Sequence, residues 1–562
     1  MATAAGEAMT APREPTAVAW RAADSRFWPL AMLGLLAALQ FTMIFTRAIN
    51  WDEYSYFREV VWFSEGRLDR TLQTFHVRLF AWLPSLFGTS TDHVVAARVA
   101  MFGFELVTLG SLYLVARRFV EDRVALLAPL TYLSAGMVMQ HGFSFRVDPI
   151  ATALLCASLA VLASARLRLA GILAFGLFAG LAAMVTIKVA LYLPAFLGLA
   201  WWRAADAGWS RTELARIAAC PLAALGFFAA LYAYHATGVT AVSGAGTDAG
   251  AQIGEAGNYS FFLGIPLYWQ LAIKAAASAP AFTVMIAVLP FMLLRSERGV
   301  SEKAALLGLW LPISTIAFYT NTLPYFYAFI LAPLAIAVVP ALEWLVRRYD
   351  LRLVAIVLAL LGTGIWLTED RGLIDRQRQI ERNVHAIFPA PVTYFDHNYM
   401  LGGWPKANGF MTLWGLQSYR MSGEPRYRKA MERETVPLFL ANYPELDEMI
   451  SGRLDGLLLA PDEQALRDNY IEFSWPIWIA GKDFSDRRGS FVEEFLVPGP
   501  YTVEGGDISI DGRVIAEGAV VTLERGDHAI ELTGEANVRL VWGERLQPPA
   551  APVEPGPIYA LY

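Results

Sequence analysis

Phe27–Ala48, FWPLAMLGLLAALQFTMIFTRA, is followed almost at once by Asn50-Trp51-Asp52-Glu53-Tyr54-Ser55-Tyr56-Phe57. The first stretch is long enough to cross a bilayer as a helix. The second sets two adjacent carboxylates among aromatic rings at the membrane surface, where carboxylates are costly to desolvate and aromatics anchor to headgroups. Together they predict a helical membrane protein with chemistry at the interface, on a substrate that arrives through the lipid.

The composition agrees. The chain has 562 residues, of which 56% are hydrophobic and 17% charged, and its mean hydropathy is +0.41. These are values of a membrane protein rather than of one large soluble core. The net charge is −6 and no dense Lys/Arg run occurs, which argues against nucleic-acid binding. The two cysteines, Cys156 and Cys220, both lie in apolar stretches, so neither a structural disulfide nor a cysteine metal site is expected. Residues 1–26 are small, polar and carry Arg13, Arg21 and Arg26. With no small-residue cleavage site behind the first apolar run, that run reads as an uncleaved span preceded by a cytoplasmic tail.

A threshold of roughly 17–25 apolar residues gives about eleven spans. They lie near 27–48, 94–117, 124–141, 148–165, 169–186, 188–202, 214–235, 268–294, 303–320, 325–346 and 351–368. Short Lys/Arg-rich connections face the cytoplasm. Arg117-Arg118 with Arg123, Arg166 with Arg168, Arg203 with Arg211 and Arg216, Arg295 with Arg298 and Lys303, and Arg347-Arg348 with Arg352 fall on one side if 169–202 passes twice. The loop 236–267 has no Lys or Arg and falls on the other side, as do the loop 49–93 and everything after residue 370. In the loop 49–93, Tyr56–Phe63 and Leu79–Phe87 read as interfacial amphipathic helices. The Gly- and Ala-rich loop 236–267 reads as a flexible connector or a lid.

Past Glu369 the pattern changes. Residues 371–490 read as an external α/β region: a polar helix over Arg371–Arg382, strands at Pro391–Phe395 and Gly456–Leu459, and helical stretches around Arg426–Tyr443 and Asp462–Asn469. Residues 491–546 alternate with Gly turns, among them Asp511-Gly512, as a small β-sandwich does. Residues 547–562 form a Pro-rich tail, expected to be extended or disordered.

Asp52 is the first candidate for chemistry, because a carboxylate at a membrane-proximal cavity can act as general base on an acceptor hydroxyl. It equally reads as the cap of the following helix, with Glu53 facing water. Asp148, in Arg146-Val147-Asp148-Pro149, falls on the same external side and also suits an N-cap before proline. His76 and Arg78 offer positive charge for a phosphate or for lipid headgroups. Lys188 lies at an external junction, where a snorkelling side chain is the alternative. Tyr325 and Tyr327 lie at another, where an aromatic belt would also place them.

The order of these residues is similar to that of a known class. The span is followed by Trp51-Asp52-Glu53-x-x-Tyr56, then Leu79-Phe80-Ala81-Trp82, Leu86-Phe87-Gly88, Ala96-Ala97-Arg98 and Val115-Ala116-Arg117-Arg118-Phe119, with Asp148 opening the fourth span. This resembles the GT-C polyprenyl-phosphate-dependent glycosyltransferases, and within them the bacterial aminoarabinose lipid A transferases and the protein O-mannosyltransferases. The likeness covers residues 27–370 and is tightest over the first 150 or so. It implies a polytopic α-helical domain with an external C-terminal domain, in a bacterial inner membrane, with that domain periplasmic. It implies that Asp52 deprotonates the acceptor, that Asp148 is the second acid, and that the donor is a sugar on an undecaprenyl-type phosphate, attacked with inversion. Acceptors of the class are lipid, glycan or protein hydroxyls. His76-Val77-Arg78 stands where the lipid A transferases carry a Lys before two prolines. Beside the catalytic candidates Asp52 and Asp148, the substrate-binding candidates are Glu53, Tyr56, His76, Arg78, Arg146, Lys188, Tyr325 and Tyr327.

No GxxxxGK[ST] phosphate cradle occurs, which suits a donor that is not a nucleotide. Adjacent acids could take a divalent cation, but no complete ligand set is readable. A transporter or flippase is the competing class, though no repeat between halves is visible and the acids sit at span ends rather than at mid-membrane. Trp475, Trp478 and Tyr501 are candidates for holding a glycan if the C-terminal region is a carbohydrate-binding module.

Overall fold

The structure, a computed structural model, describes residues 26–239, 261–262, 267–409, 411–532 and 537–560. Most of the loop 236–267 and nearly all of the N-terminal tail therefore lie outside the described residues.

Four described helices are long and apolar enough to cross a membrane: Phe27–Thr46, Ser90–Ala116, Val147–Ser164 and Arg211–Ala236. The number rises to six if each of two bent pairs is one span: Trp269–Ala277 with Pro280–Arg295, bent by 105°, and Pro324–Ala337 with Val339–Arg348, bent by 56°. Leu169–Val185 and Leu351–Leu367 are shorter apolar helices. The remaining hydropathy peaks fold as broken segments. Residues 124–141 contain the short helices Leu127–Leu133 and Gly136–His141. The 3₁₀ turn Ile187–Tyr192 precedes Leu193–Asp206, and Val300–Trp310 runs into the 3₁₀ turn Leu311–Ala317. Prolines mark these joints. Pro194, Pro280, Pro312, Pro324 and Pro340 each stand in a first turn, where a missing N–H costs nothing but a preceding helix cannot continue.

Val147–Ser164 is the buried centre, packed by Ser90–Ala116, Leu169–Val185 and Pro324–Ala337. Ahead of it, Trp51–Ser64 is a helix outside the first span. It starts on a capping box: Asn50 Oδ1 accepts from the Asp52 N–H at 3.0 Å, and Glu53 accepts from the Asn50 N–H at 3.0 Å. The second amphipathic stretch folds as short turns, His76–Leu79 and Leu83–Ser85, and leaves Trp82, Leu86 and Phe87 exposed, as an interfacial anchor requires.

After the apolar helix Leu351–Leu367, Leu373–Ile387 leads into a seven-stranded sheet. Its order is Tyr394–Phe395, Leu438–Leu440, Ile477–Asp483, Arg539–Trp542, Gly499–Glu504 and Val520–Leu523, with Tyr470–Ser474 also paired to Ile477–Asp483. A four-stranded sheet, Gly489–Phe495, Gly526–Leu532, Ile508–Ile510 and Arg513–Ile515, packs beside it. Because Ile477–Asp483 pairs with Arg539–Trp542, one sheet joins the expected α/β and β regions. The hairpin at Asp511-Gly512 has both residues in the left-handed region, φ +50° and +77°, as a two-residue primed turn demands. Gly456–Leu459 is a loop rather than a strand: the Glu463 carboxylate accepts from the Leu458 N–H at 2.9 Å and so uses that backbone to start the helix Ala460–Asn469. The helix at Arg426 ends at Arg433, and Leu438–Leu440 is a strand. The described part of the Pro-rich tail, residues 547–560, has no regular structure, yet it is tied down. Asn383 donates to the Ala551 carbonyl at 2.9 Å and Gln377 to the Ile558 carbonyl at 3.0 Å, and the Tyr559 hydroxyl donates to Asn398 Oδ1 at 2.9 Å.

Candidate functional site

Three elements bring four charged side chains into a line. Asp52 sits in the first turn of Trp51–Ser64. Arg146 is the N-cap of Val147–Ser164 and Asp148 is in its first turn. Lys188 comes from the 3₁₀ turn Ile187–Tyr192. Arg146 Nη1 donates to Asp52 Oδ2, and Arg146 Nε lies 3.6 Å from Asp148 Oδ2. Lys188 Nζ donates to Asp148 Oδ1 at 2.5 Å. The sequence Asp52, Arg146, Asp148, Lys188 is thus alternating in sign and neutral in sum. The side chains of Arg146, Asp148 and Lys188 are 4%, 1% and 9% exposed, against 17% for Asp52, so Asp52 is the open end of the row.

Aromatic rings frame the two cations. The Arg146 guanidinium carbon lies 3.3 Å from the centre of the Tyr325 ring and 5.4 Å from that of Tyr56. Lys188 Nζ is 5.4 Å from Tyr325. A guanidinium over a ring face keeps its in-plane N–H groups free to donate sideways.

Glu53 has a different place. Its carboxylate accepts from Arg98 Nε at 2.8 Å and Nη2 at 2.5 Å, from the Phe145 N–H at 2.8 Å and from the Asn50 N–H at 3.0 Å. Burial pushes its pKa up, but the Arg98 charge and these bonds win and hold it below the usual carboxylate range. Glu53 therefore clamps Trp51–Ser64 to Ser90–Ala116 and to Phe145, one residue before Arg146. Arg98 was not among the expected site residues. The signal for it was a single arginine inside an apolar span, a buried charge that must find a partner.

His76 is buried beside Tyr56, ring centres 5.2 Å apart, with Nε2 3.5 Å from Glu59 Oε2. Burial pushes its pKa down to about 3, so it is a neutral ring at ordinary pH. Arg78 lies apart from the row. Its guanidinium donates to His235 Nδ1 at 3.0 Å and to the Tyr234 and His235 carbonyls at 3.0 and 3.2 Å, closing the C-terminus of Arg211–Ala236. Tyr327 is two residues on from Tyr325 in one helix, about 200° around its axis. Its hydroxyl is buried with no hydrogen-bond partner among the described residues. Asp52 and Glu53 diverge to different arginines, and among the described residues no three His, Cys, Asp or Glu side chains gather as a metal site.

An apolar cavity of about 710 Å³ opens beside the row. Ile187 and Val189, the neighbours of Lys188, line it with Leu193, Phe196, Pro221 and Phe228. The cavity thus adjoins the turn that carries Lys188, although Lys188 itself, held to Asp148, is not among its lining residues. In the C-terminal domain, Trp478 and Tyr501 are buried, whereas Trp475 lines a second cavity together with Trp51.

No protein-family model matches the chain, and no curated protein matches it. Solved structures do. ArnT from Cupriavidus metallidurans, bound to undecaprenyl phosphate, superposes over 78% of this chain and 97% of its own, with a TM-score of 0.52 at 13% identity. The Archaeoglobus fulgidus oligosaccharyltransferase in the apo form covers 89% of this chain and 76% of its own, with a TM-score of 0.48 at 11% identity. Archaeal oligosaccharyltransferase AglB from the same organism, in complex with an inhibitory peptide and a dolichol-phosphate, gives 90%, 76%, 0.46 and 12%. The likeness to ArnT is one of architecture: the chain has the fold of the GT-C membrane glycosyltransferases, a multi-pass helical domain with a sheet-containing C-terminal domain.

Proposed function

We propose that this protein is a membrane glycosyltransferase that moves a sugar from a polyprenyl-phosphate donor to a hydroxyl of an extracytoplasmic acceptor. The observation that carries the reading is the charged row beginning at Asp52 and ending at Lys188, beside the apolar cavity. An isoprenoid tail suits that cavity, and its phosphate would reach past the turn Ile187–Tyr192 to Lys188 and Arg146. The phosphate oxygens compete with Asp52 for Arg146, so donor binding frees the Asp52 carboxylate. Asp52 takes the proton of the acceptor hydroxyl as its oxygen attacks the anomeric carbon. The bond from that carbon to the phosphate oxygen breaks, configuration inverts, and the polyprenyl phosphate leaves with its new negative charge facing Arg146 and Lys188. Such fixed cations act where charge develops, and the base contributes about 10²–10⁴ in rate. Asp148 keeps Lys188 in place.

In this reading the chain crosses the membrane about eleven times, with broken helices counted as passes. The Lys/Arg-rich connections face the cytoplasm and the C-terminal domain faces out, in a bacterial inner membrane. Lipid, glycan and protein hydroxyls are all admissible acceptors. A nucleotide-sugar donor does not reach that side, whereas a lipid-linked one is presented there.

The test is transfer of radiolabelled sugar from polyprenyl-phosphate donors by purified protein, wild type beside Asp52→Asn, with a mixed pool of membrane-glycan acceptors. Wild-type transfer that vanishes in the variant supports the reading. No transfer from any lipid donor, together with movement of a lipid-linked sugar across proteoliposomes, replaces it with the flippase.

A further inference from the structure

The cavity beside Trp51 has no part in the donor chemistry above. It measures about 520 Å³ and lies where the external domain meets the first turn after the membrane, within the roughly 300–1,000 Å³ of small-molecule sites. Trp51, Tyr443 and Trp475 give it three aromatic walls, Asp447, Glu448 and Arg453 give it polar groups, and Pro557 and Tyr559 of the tail close it.

Its parts are held in place. The Trp51 ring is met edge-on by Tyr559 at 5.8 Å and by His397 at 6.0 Å, and His397 is stacked flat on Tyr443 at 4.1 Å. Burial pushes the His397 pKa down to about 3, so that stack is a neutral one. Asp447 accepts from Trp475 Nε1 at 3.1 Å and from Arg453 Nη2 at 2.8 Å, which fixes the indole. Glu448 is exposed and makes no ion pair among the described residues.

The chemistry of these walls selects a ligand. A long apolar tail would leave Asp447, Glu448 and Arg453 without water or partners. A phosphate or sialic-type anion would meet two carboxylates and one arginine that is already paired. A sugar ring offers an apolar C–H face to an indole or phenol and a rim of hydroxyls to carboxylate and guanidinium, so it satisfies both kinds of wall. Trp51 immediately precedes Asp52 in the first turn of Trp51–Ser64, so the cavity and the acid assigned as base share one helix start.

We propose that this cavity binds sugar units without negative charge, as part of the acceptor, so that the acceptor is a glycan; this rests on the transferase reading above. Trp475 and Trp51 stack on the sugar faces, and Glu448 accepts from their hydroxyls.

The test is calorimetric titration of the full-length protein in detergent, without donor, using chitotriose, maltotriose, cellotriose and mannotriose, with trigalacturonate as the anionic control. Saturable binding of at least one neutral trisaccharide is expected, weakened at least about tenfold by Trp475→Ala and by Glu448→Ala separately. Absence of saturable binding by every neutral trisaccharide overturns the site, as does binding that neither variant alters, or that trigalacturonate matches. Should Trp475→Ala fail to fold, the exposed Glu448→Ala decides alone. Because no donor is present, a failure here leaves the transferase reading standing, and sugar binding by a protein that transfers nothing removes that reading while keeping the site.

Discussion

The Arg146 guanidinium lies face-on to the Tyr325 ring, 3.3 Å from its centre, while Nη1 of the same group donates to Asp52. The ring holds the cation from one side whichever anion it faces on the other. Exchange of Asp52 for a phosphate oxygen then needs no rearrangement of Arg146.

Tyr325→Leu removes that platform. A cation–π contact is worth about 0.5–2 kcal/mol, so donor KM should rise by about 2- to 30-fold with a smaller change in kcat. Tyr325→Phe keeps the ring and loses the hydroxyl, which donates to Asn321 Oδ1 at 3.0 Å; it should stay within a few-fold of wild type. Equal losses in both variants would show that the face of the ring is not what matters.

Asp52 and Glu53 are adjacent but should fail in different ways. Asp52→Asn is expected to lower turnover at least about a hundredfold and to leave insertion intact, with a smaller fall in Tm than Glu53→Gln because Arg146 keeps Asp148 as a second counter-charge. Glu53→Gln leaves the buried Arg98 without its counter-charge, an effect of about 3–5 kcal/mol, so it should lower Tm and folded yield. A Glu53→Gln protein of wild-type Tm would remove the clamp role.

Lys188→Met leaves Asp148 buried beside Arg146 alone, and folded yield should drop. Adding Asp148→Asn should bring the yield back, because the pair is then replaced rather than broken. Donor affinity, measured with labelled polyprenyl phosphate, should stay low in the double variant. Its return to the wild-type value would take Lys188 out of phosphate binding.

His76 gives a pH dependence of known sign. Its folded pKa is about 3 against 6.5 for the free side chain. Above pH 6.5 it is neutral in both states and the full stability is present. As pH falls from 6.5 toward 3 the unfolded chain takes a proton that the fold refuses, and stability declines by up to about 1.4 kcal/mol per pH unit. His397 acts in the same direction. Thermal scans between pH 7 and 4.5 should therefore show a falling Tm, a shallower fall in His76→Phe, and a shallower one again with His397→Phe added. An unchanged slope in both variants would mean that neither ring resists protonation.

Much of the row was readable because charges at span ends are few. Asp52, Arg146, Asp148 and Lys188 stand out against apolar neighbours, and charge asymmetry places them on one face. That Arg146 would reach Asp52 depends on a contact across 94 residues, and that Tyr325 would carry it on one across 179, 325 less 146; no local pattern encodes either. Asp52 and Glu53 look alike as a pair; only the capping box at Asn50 separates them, turning Glu53 back toward the helix start and Arg98. Hydropathy windows average across breaks, so 124–141 and 303–320 read as continuous while their chains turn at Ala135 and Pro312. Gly456–Leu459 looked like a strand because its apolar residues pack in the core, but its N–H groups go to Glu463.

Trp51 and Tyr559 are 508 residues apart in the chain, 559 less 51, yet their rings touch. At about 5–20 residues per second, the ribosome makes the second roughly half a minute to two minutes after the first. The wall that Tyr559 supplies is thus the last part to arrive. Until translation reaches it, a nascent chain has its acids but lacks this wall of the chamber beside Trp51. The fold carries its own clock: a copy not yet made as far as Tyr559 lacks that wall.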